Sequence, residues 1–372
     1  MARRIGWAVQ DRPYLKLVSR VKLDVLAAYL EPWSRILGSR NKKLLYFDCF
    51  AGGGEYTDES GEALPGSPLR ALRIANDYRA RYPTRTLMLR FVERTPRTAK
   101  LLKRALGRAG VEPTAAERMV TEADAAGAVA KILEAARVGR RMPSFFFIDP
   151  YGLPLSIPDM RQLLRLDHVE LLVNLMWFRV NMNLANPRVV TLMDDLFGHH
   201  EWAVQAFMQM RGDARRDSFI QYFKDQVGAE FALDLLLEFS PEDRNSGKRT
   251  KFCLMHFSSN ERAALLMNDI LFAARRRLDD LLAPPPLQQS KLWQDPSPDE
   301  VIVEQLKARL PATFGGQRLT YKALRVRTLS WQLGADRHYR RALQELEHIA
   351  LDVESDRNRR NGFEDGDLVI FR

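Results

Sequence analysis

The chain has 372 residues, of which 46% are hydrophobic, so it is long enough to bury a large core and is not a disordered protein. Its 57 lysines and arginines exceed its 47 acidic residues, which gives a formal net charge of +10. This balance favours a polyanionic partner over an acidic substrate or a neutral metabolite, with ordinary solubilising charge as the alternative.

The cysteine content and the apolar runs bear on location. Cys49 and Cys253 are the two cysteines, and each sits in an apolar, strand-like run, where a thiol behaves as a small hydrophobe. No run approaches the roughly 20 apolar residues of a membrane helix, and the N-terminus is not followed by a signal-peptide stretch. We therefore expect a cytoplasmic protein with no membrane association.

The first part of the chain alternates predicted strands and helices. Apolar residues at helical spacing predict an entry helix from Leu15 to Leu37. Strands are predicted at Leu44 to Phe47, Leu87 to Val92, Met119 to Thr121, Phe145 to Ile148 and Leu171 to Met176. Helices between such strands indicate a parallel sheet that is covered on both faces.

The next segment completes this sheet and ends in a linker. Residues 187–230 are predicted as a helical insertion near a nucleotide-type pocket, which the strand ends at Asp48 and Asp149 outline. Asp234 to Phe239 is predicted to pair with Lys251 to Phe257 as a hairpin around residues 243–247. The sheet then has seven strands, with an antiparallel last strand. We place a Rossmann-like domain at residues 1–283 and a proline-rich linker at residues 284–298.

Residues 299–372 have the predicted order of a small winged helix-turn-helix domain, whose third helix and terminal hairpin would face nucleic acid. Basic residues concentrate there, with aromatic residues interleaved, as expected where phosphates are bound. The predicted nucleic-acid-binding residues are Arg325, Arg327, Arg337, Arg340, Arg341, Arg357, Arg359 and Arg360. Several acidic residues in the same segment leave a protein-binding winged helix as the alternative.

A predicted strand that ends at Asp48 runs into a glycine-rich turn, Phe50-Ala51-Gly52-Gly53-Gly54. Glycine lets the backbone approach a ligand closely and adopt a positive φ, as a class I methyltransferase requires where S-adenosylmethionine binds. The spacing is not that of the dinucleotide fingerprint, which disfavours a dehydrogenase.

Two further acidic residues follow the next two strands. Glu93 is placed to accept hydrogen bonds from both ribose hydroxyls, and Asp124 to take the adenine amine; ordinary surface acids are the alternative for both. The predicted cofactor-binding residues are Asp48, Phe50, Ala51, Gly52, Gly54, Glu93 and Asp124.

The segment Asp149-Pro150-Tyr151-Gly152 carries the most chemical information. In methyltransferases that act on exocyclic amines, Asp or Asn followed by Pro and an aromatic residue accepts hydrogen bonds from the amine, and the ring stacks on the extruded base. We therefore predict Asp149, Pro150 and Tyr151 as catalytic residues. A structural turn after a buried strand is the alternative.

Several ordered segments resemble the three-Cys-motif partner protein family, TcmP, over residues 15 to 280. They are Tyr46 to Gly54, Pro65 to Leu69, Ile148 to Gly152, the strand ending at Asn174, His256 to Asn260, and the Ser19-x-x-Lys22 helix with Tyr29 and Trp33. The C-terminal module is also similar to that of this family. The resemblance implies a methyltransferase-like Rossmann domain that uses S-adenosylmethionine, and a radical-SAM partner protein with a three-cysteine motif.

The pocket is also similar to that of ribosomal RNA adenine-N6 methyltransferases, which implies a base amine as acceptor. Those enzymes carry Asp-Pro-Pro-Tyr, whereas this chain has a single proline after Asp149, so Tyr151 comes one position earlier. We expect a methyltransferase for nucleic acid. The alternatives are a catalytically silent nucleic-acid-binding regulator or scaffold, and a small-molecule or protein methyltransferase with a dimerising winged helix.

Other polar residues are less informative. His199, His200 and Glu201 have no second ligand-like cluster, so a structural helix end is expected and no metal site. Ser67 before Pro68 is expected to cap a helix. Lys22 and Arg179 are expected near the pocket mouth, and Asn174 is expected to end a strand on the catalytic edge of the sheet, with structural and functional roles equally open for each.

Overall fold

The computed structural model describes residues 13–137, 142–153, 155–184, 186, 190–239, 249–282, 297–355 and 362–372. Contacts divide the chain into two compact units, Met1–Asn260 and Glu261–Arg372. In the described residues, no helix combines the length and the apolar character needed to cross a membrane.

The described part of the first unit contains these elements in chain order: α1 (Leu17–Gly38), β1 (Lys43–Asp48), β2 (Glu55–Thr57), β3 (Ala63–Pro65), α2 (Ser67–Arg81), β4 (Thr86–Glu93), α3 (Pro96–Arg108), α4 (Pro113–Met119), β5 (Val120–Glu122), α5 (Ala125–Arg137), β6 (Ser144–Ile148), α6 (Ile157–Leu164), β7 (Val169–Leu175), α7 (Trp177–Asn183), α8 (Val190–Phe197), α9 (Gly212–Val227), β8 (Phe231–Glu238) and β9 (Thr250–Ser258).

A seven-stranded sheet forms the centre of this unit, in the order β5-β4-β1-β6-β7-β9-β8. The strands β5, β4, β1, β6 and β7 are parallel, and β9 is antiparallel to both β7 and β8. The predicted mixed sheet with one antiparallel strand is therefore confirmed, and its order is compatible with a Rossmann-like domain. The predicted hairpin turn at residues 243–247 lies outside the described residues.

Helices cover the sheet on both faces. Successive strand residues point to opposite sides, so apolar strand residues are buried on each face. Tyr29 and Trp33 of α1 pack on Phe145, with ring centroids 5.3 and 5.8 Å apart. The next residue, Phe146, belongs instead to a core that includes α5, α6 and α9. All five residues of β6 are buried, as expected for a central parallel strand.

The region predicted as a helical insertion is part of this second core. Its described residues form α8, two short 3-10 turns at Glu201–Val204 and Ala206–Met208, and α9. Large apolar side chains from each of these elements pack in the same core as Phe146: Phe197, Trp202, Phe207, Phe219 and Phe223. The segment is therefore integrated with the sheet, and residues 187–189 lie outside the described part.

The second unit contains, in its described residues, α10 (Glu261–Leu282), α11 (Pro298–Phe314), β10 (Arg318–Thr320), α12 (Tyr321–Arg327), α13 (Asp336–Leu346), β11 (Leu351–Glu354) and β12 (Leu368–Phe371). The three strands form an antiparallel sheet in the order β10-β12-β11. Helices α11, α12 and α13 share an apolar core with this sheet.

Helix α10 groups with the second unit, whereas the sequence assigned it to the first domain. Asn268 of α10 donates a hydrogen bond to the carbonyl of Gly334 at 3.0 Å, and Asp269 pairs with Arg325 at 2.7 Å. These polar contacts join residues far apart in the chain, so composition alone does not reveal them. The predicted linker lies almost wholly outside the described residues.

Candidate functional site

Three of the predicted acidic residues lie at one edge of the first unit's sheet, where β1, β4 and β6 end. Asp48 of β1 is paired in register with Phe91 of β4 and Phe147 of β6. Glu93 comes two residues after Phe91, and Asp149 two residues after Phe147. Since carboxyl ends of parallel strands share one edge, the three carboxylates converge where the strand order reverses, the usual place for a ligand in open α/β sheets.

The glycine-rich turn after β1 is shaped by its own backbone and by Glu93. Gly52 has φ +63° and Gly54 has φ +82°, a region that residues with a β-carbon rarely adopt. The amide of Gly52 donates to Oε2 of Glu93 at 3.1 Å. The amide of Ala51 donates to the carbonyl of Val92 at 2.9 Å, so the turn is fixed against the end of β4.

The turn leaves space beside Gly52 and is closed beside Gly54. No heavy atom lies within 4 Å of a β-carbon built on Gly52, whereas one built on Gly54 would meet Cδ1 of Leu102 at 2.8 Å. Gly66, just before α2, donates its amide to the carbonyl of Gly54 at 2.8 Å. This hydrogen bond brings the end of the β2–β3 hairpin back beside Gly54, where the hairpin begins. Gly52 faces open space at the carboxyl edge.

Asp48 is fully buried at this edge and carries a strongly shifted pKa. Burial raises the pKa of its carboxyl from 3.8 to about 7, partly offset by hydrogen bonds from Ser67 and from the amide of Phe50. The Phe50 amide lies 3.2 Å from Oδ1, and the Tyr46 hydroxyl donates to Oδ2 at 3.3 Å. A cation bound nearby would favour the ionised carboxylate.

Asp149 is held by two side chains from other elements. The ammonium of Lys22 lies 2.5 Å from Oδ2, and Nδ2 of Asn174 donates to Oδ1 at 2.8 Å. Lys22 and Asn174 are both almost fully buried. These contacts place Lys22 and Asn174 against Asp149 and fix the orientation of its carboxylate.

Sheet register explains why these residues meet. Ile148 pairs with Val173, so the following residues, Asp149 and Asn174, are neighbours on the face that α1 covers. Oδ1 of Asn174 is buried and has no hydrogen-bond partner among the described residues. A buried acceptor of this kind is uncommon and marks a place for a donor.

The other two residues of the predicted catalytic motif differ in exposure. Pro150 is buried, whereas the side chain of Tyr151 is 77% exposed. The guanidinium of Arg179 lies 4.2 Å from the centroid of the Tyr151 ring. One face of the ring therefore holds a cation, and the ring's exposure leaves contact area for another group.

The structure gives Glu93 and Asp124 different local roles. Besides Gly52, Glu93 accepts a hydrogen bond from the amide of Thr95 through Oε1 at 2.8 Å. Asp124 is exposed and accepts from the amide of Gly127 at 2.8 Å, so it caps the first turn of α5. Capping accounts for Asp124 without a ligand, whereas Glu93 ties the glycine turn to the edge.

Two residues have contacts that the sequence did not indicate. Ser67 was expected to cap α2, but Gly66 holds the capping position and the Ser67 side chain bonds to Asp48 instead. Glu170 is buried in β7 and was not singled out. It accepts hydrogen bonds from the Tyr29 hydroxyl and from Nε1 of Trp33 at 3.1 Å.

Nε2 of His256 lies 3.1 Å from the same Glu170 carboxylate. An acidic residue inside an otherwise apolar strand was the available sequence signal, because a buried charge requires partners. Burial and the neighbouring Glu170 raise the pKa of Tyr29 well above its usual value. The cluster lies toward the start of β7 and is separate from the carboxyl edge.

The predicted nucleic-acid-binding arginines of the second unit divide into three groups. Arg325 is buried and pairs with Asp269 at 2.7 Å and Asp336 at 2.8 Å, so its guanidinium is an interior ion pair, and Arg340 is half-buried and bonds Asp336. The exposed members are Arg327, Arg337 and Arg341. Arg357, Arg359 and Arg360 lie outside the described residues.

The adjacent histidines after α8 are held by structural contacts. Nδ1 of His200 lies 2.8 Å from Asp194, which also accepts from Trp202 at 2.7 Å. Nε2 of His199 lies 3.2 Å from the Gln226 side chain. Across the described part of the chain, no group of three or more candidate ligands is placed to hold a metal.

Comparison with known proteins adds little to this geometry. No protein-family model matches the chain, and no curated protein matches it. A crystal structure of a Legionella pneumophila protein, described by the family model DUF519, is similar with a TM-score of 0.37 and 13% identity. The match covers 66% of this chain and 86% of that one. The resemblance to the three-Cys-motif partner family therefore stays a prediction.

Proposed function

We propose that the first unit is a class I, S-adenosylmethionine-dependent methyltransferase domain that methylates an exocyclic amine of a nucleic-acid base. The observation that carries the proposal is the convergence of Asp48, Glu93 and Asp149 with the positive-φ turn at one edge of the sheet. The single antiparallel strand, β9, supports the class I assignment.

The residues of this edge fit the cofactor. Gly52 faces open space, so a ligand can approach its backbone, and Glu93 retains lone pairs for two ribose hydroxyls after accepting two amides. S-adenosylmethionine supplies an electrophilic methyl group on a cationic sulfonium. Asp48 gives the edge an acidic group whose ionised form a cationic ligand would favour, whereas the charge of Asp149 is already compensated by Lys22.

Asp149 would act by positioning the acceptor. Its carboxylate accepts an N–H of the amine while the Pro150 carbonyl accepts the other, which aims the nitrogen lone pair. Lys22 and Asn174 hold the carboxylate in one orientation, and this pre-organisation is what positioning requires. No strong base is needed, because a neutral amine is the nucleophile.

The second unit would deliver the polymer as a winged helix-turn-helix domain. Its element order and its exposed arginines on α12 and α13 support this role, although interior ion pairs remove Arg325 from the contact surface. A radical-SAM protein with a three-cysteine motif would be its functional partner, as the family resemblance implies. Cytoplasmic location belongs to the same proposal.

A catalytically silent, nucleic-acid-binding scaffold is the second candidate. The observation that favours it is the contact between Lys22 and Asp149, since the ammonium already occupies one oxygen that the acceptor amine would use. The single proline of the motif points the same way. In this case the methyltransferase fold would be a structural platform.

Transfer of labelled methyl groups from S-adenosylmethionine to total RNA and to DNA tests the proposal. We expect incorporation with the full chain and loss of incorporation with Asp149→Ala. Incorporation that survives this substitution would remove the role of Asp149, and absence of incorporation with retained cofactor binding would favour the scaffold.

A further inference from the structure

A strip of paired cations and aromatic rings extends along the carboxyl edge from the candidate site. We define the edge strip as Tyr151, Phe178, Arg179, Phe239, Arg249 and Lys251. Arg179 lies 4.2 Å from the centroid of Tyr151, whose side chain is 77% exposed. This pair begins the strip at the residue that follows Asp149 and Pro150.

The remaining members form a second set of pairs beside α7. The rings of Phe178 and Phe239 meet edge to face, with centroids 4.8 Å apart at 85°. The guanidinium of Arg249 lies 5.8 Å from the Phe178 centroid, and the ammonium of Lys251 lies 5.3 Å from that of Phe239. Each ring in this set is therefore paired with a cation.

The strip is connected to Asp149 through one buried ring. Phe252 lies between two lysines, 5.1 Å from the ammonium of Lys251 and 5.3 Å from that of Lys22. Lys22 in turn contacts Asp149 at 2.5 Å. The second set of pairs is therefore connected to Asp149 through Phe252 and Lys22.

Alternating cations and rings fit a single-stranded nucleic acid better than an acidic protein segment. Aromatic faces stack with bases of any sequence, and the cations beside them bind the phosphodiester backbone. A planar guanidinium on an aromatic ring, as at Arg179 and Tyr151, also presents a flat surface to a base. An acidic peptide would use the charges but would have no comparable use for the exposed ring of Tyr151.

We infer that the edge strip is a contact surface for single-stranded nucleic acid, which it directs to Asp149. The inference deepens the proposed function and rests on it for the identity of the reacting group. A strand that lies on the strip brings one nucleotide to Tyr151, so the base must be unpaired or extruded to reach the carboxylate. Nothing in this role requires the second unit, which would add affinity for the same polymer.

Fluorescence anisotropy of the full chain with labelled single-stranded RNA and DNA oligonucleotides tests the strip. Tyr151→Ala is expected to weaken binding by roughly 5-fold or more, in line with the loss of one stacked base, while Tyr151→Phe keeps the ring and the affinity. Arg179→Ala is expected to lower the salt slope of binding by about 1, whereas Arg104→Ala, at an exposed site on α3, changes it less.

Charge reversal provides a second comparison. Lys251→Glu is expected to weaken oligonucleotide binding by at least several-fold, whereas Lys131→Glu, at an exposed position of α5, is expected to leave it nearly unchanged. Equal effects of the two reversals would overturn the strip as a specific surface. Equal affinity for polyglutamate and for the oligonucleotides would overturn the choice of nucleic acid, as would absence of binding by the unaltered chain.

Calorimetry with S-adenosylmethionine on the same variants separates this inference from the proposed function. If the strip variants bind both the cofactor and the oligonucleotide as the unaltered chain does, the strip is refuted and the methyltransferase proposal stays intact. If the strip variants lose oligonucleotide binding, and neither they nor the unaltered chain binds the cofactor, the strip is supported and the methyltransferase proposal is refuted.

Discussion

The ammonium of Lys22, from the first turns of α1, lies 2.5 Å from Oδ2 of Asp149, immediately after β6. The two side chains are only 8% and 15% exposed, so their charges compensate each other in a poorly solvated place. Removing one partner of such a pair leaves an unpaired charge, while removing both does not.

We predict strong energetic coupling between these two residues. Lys22→Met should lower the free energy of unfolding by about 3 kcal/mol, and the double variant Lys22→Met/Asp149→Asn should be no less stable than Lys22→Met. Urea denaturation of the four proteins of this cycle gives the coupling energy. Additive effects would show that the pair does not act as a unit.

Asp48 should make stability depend on pH in a defined direction. Its folded pKa of about 7 lies above its usual 3.8, so its contribution to stability is fully present below pH 3.8 and is lost as pH rises to about 7. Asp48→Asn avoids this loss and should be more stable than the unaltered chain at pH 8 by about 4 kcal/mol. At pH 4 the two should be nearly equal in urea denaturation, and a pH-independent difference would contradict the assignment.

Gly52 and Gly61 provide a matched test of the glycine turn. Both have positive φ, +63° and +84°, and neither has a heavy atom within 4 Å of a built β-carbon. Gly52→Ala and Gly61→Ala should each lower stability by about 1 kcal/mol. Only Gly52→Ala should abolish S-adenosylmethionine binding in calorimetry, because only its open side faces the acidic edge. Equal binding by both variants would place the ligand elsewhere.

Arginines of the second unit should separate into structural and contact residues. Arg325→Ala leaves Asp269 and Asp336 without their buried cation and should lower stability by about 3 kcal/mol. Arg341→Ala removes an exposed pair with Glu345 and should lower stability by less than about 0.5 kcal/mol.

Hydrogen exchange of α12 and α13 in the full chain reports the stability loss. Anisotropy with a labelled oligonucleotide should show a lower salt slope for Arg341→Ala. An unchanged slope for Arg341→Ala, together with those for Arg327→Ala and Arg337→Ala, would favour a protein partner for this unit.

Local patterns predicted the strand ends of the candidate site well. Buried runs that stop at Asp48, Glu93 and Asp149 are visible in the sequence because a central strand is apolar at nearly every position and its end is marked by glycine or proline. The basic character of the second unit was also visible in the sequence, as a concentration of arginines within residues 299–372. Its division into interior and exposed arginines was not, because Asp269 lies on a distant helix.

Contacts between distant segments account for most of what the sequence did not show. The Ser67 hydroxyl faces Asp48 because α2 begins beside β1, and local capping rules do not include that neighbour. The direct contact of Lys22 with Asp149 depends on how α1 crosses the sheet. Asp124 is the opposite case, because a local contact accounts for it. Its carboxylate caps the first turn of the helix that follows it, α5.

Calorimetric titration of the full chain with S-adenosylmethionine asks whether the carboxyl edge of the sheet binds this cofactor. We expect one binding site per chain, with affinity that increases from pH 6 to pH 8 as Asp48 ionises and that is lost in Glu93→Ala and Gly52→Ala. Absence of binding by the unaltered chain, or binding that both substitutions leave unchanged, would contradict it.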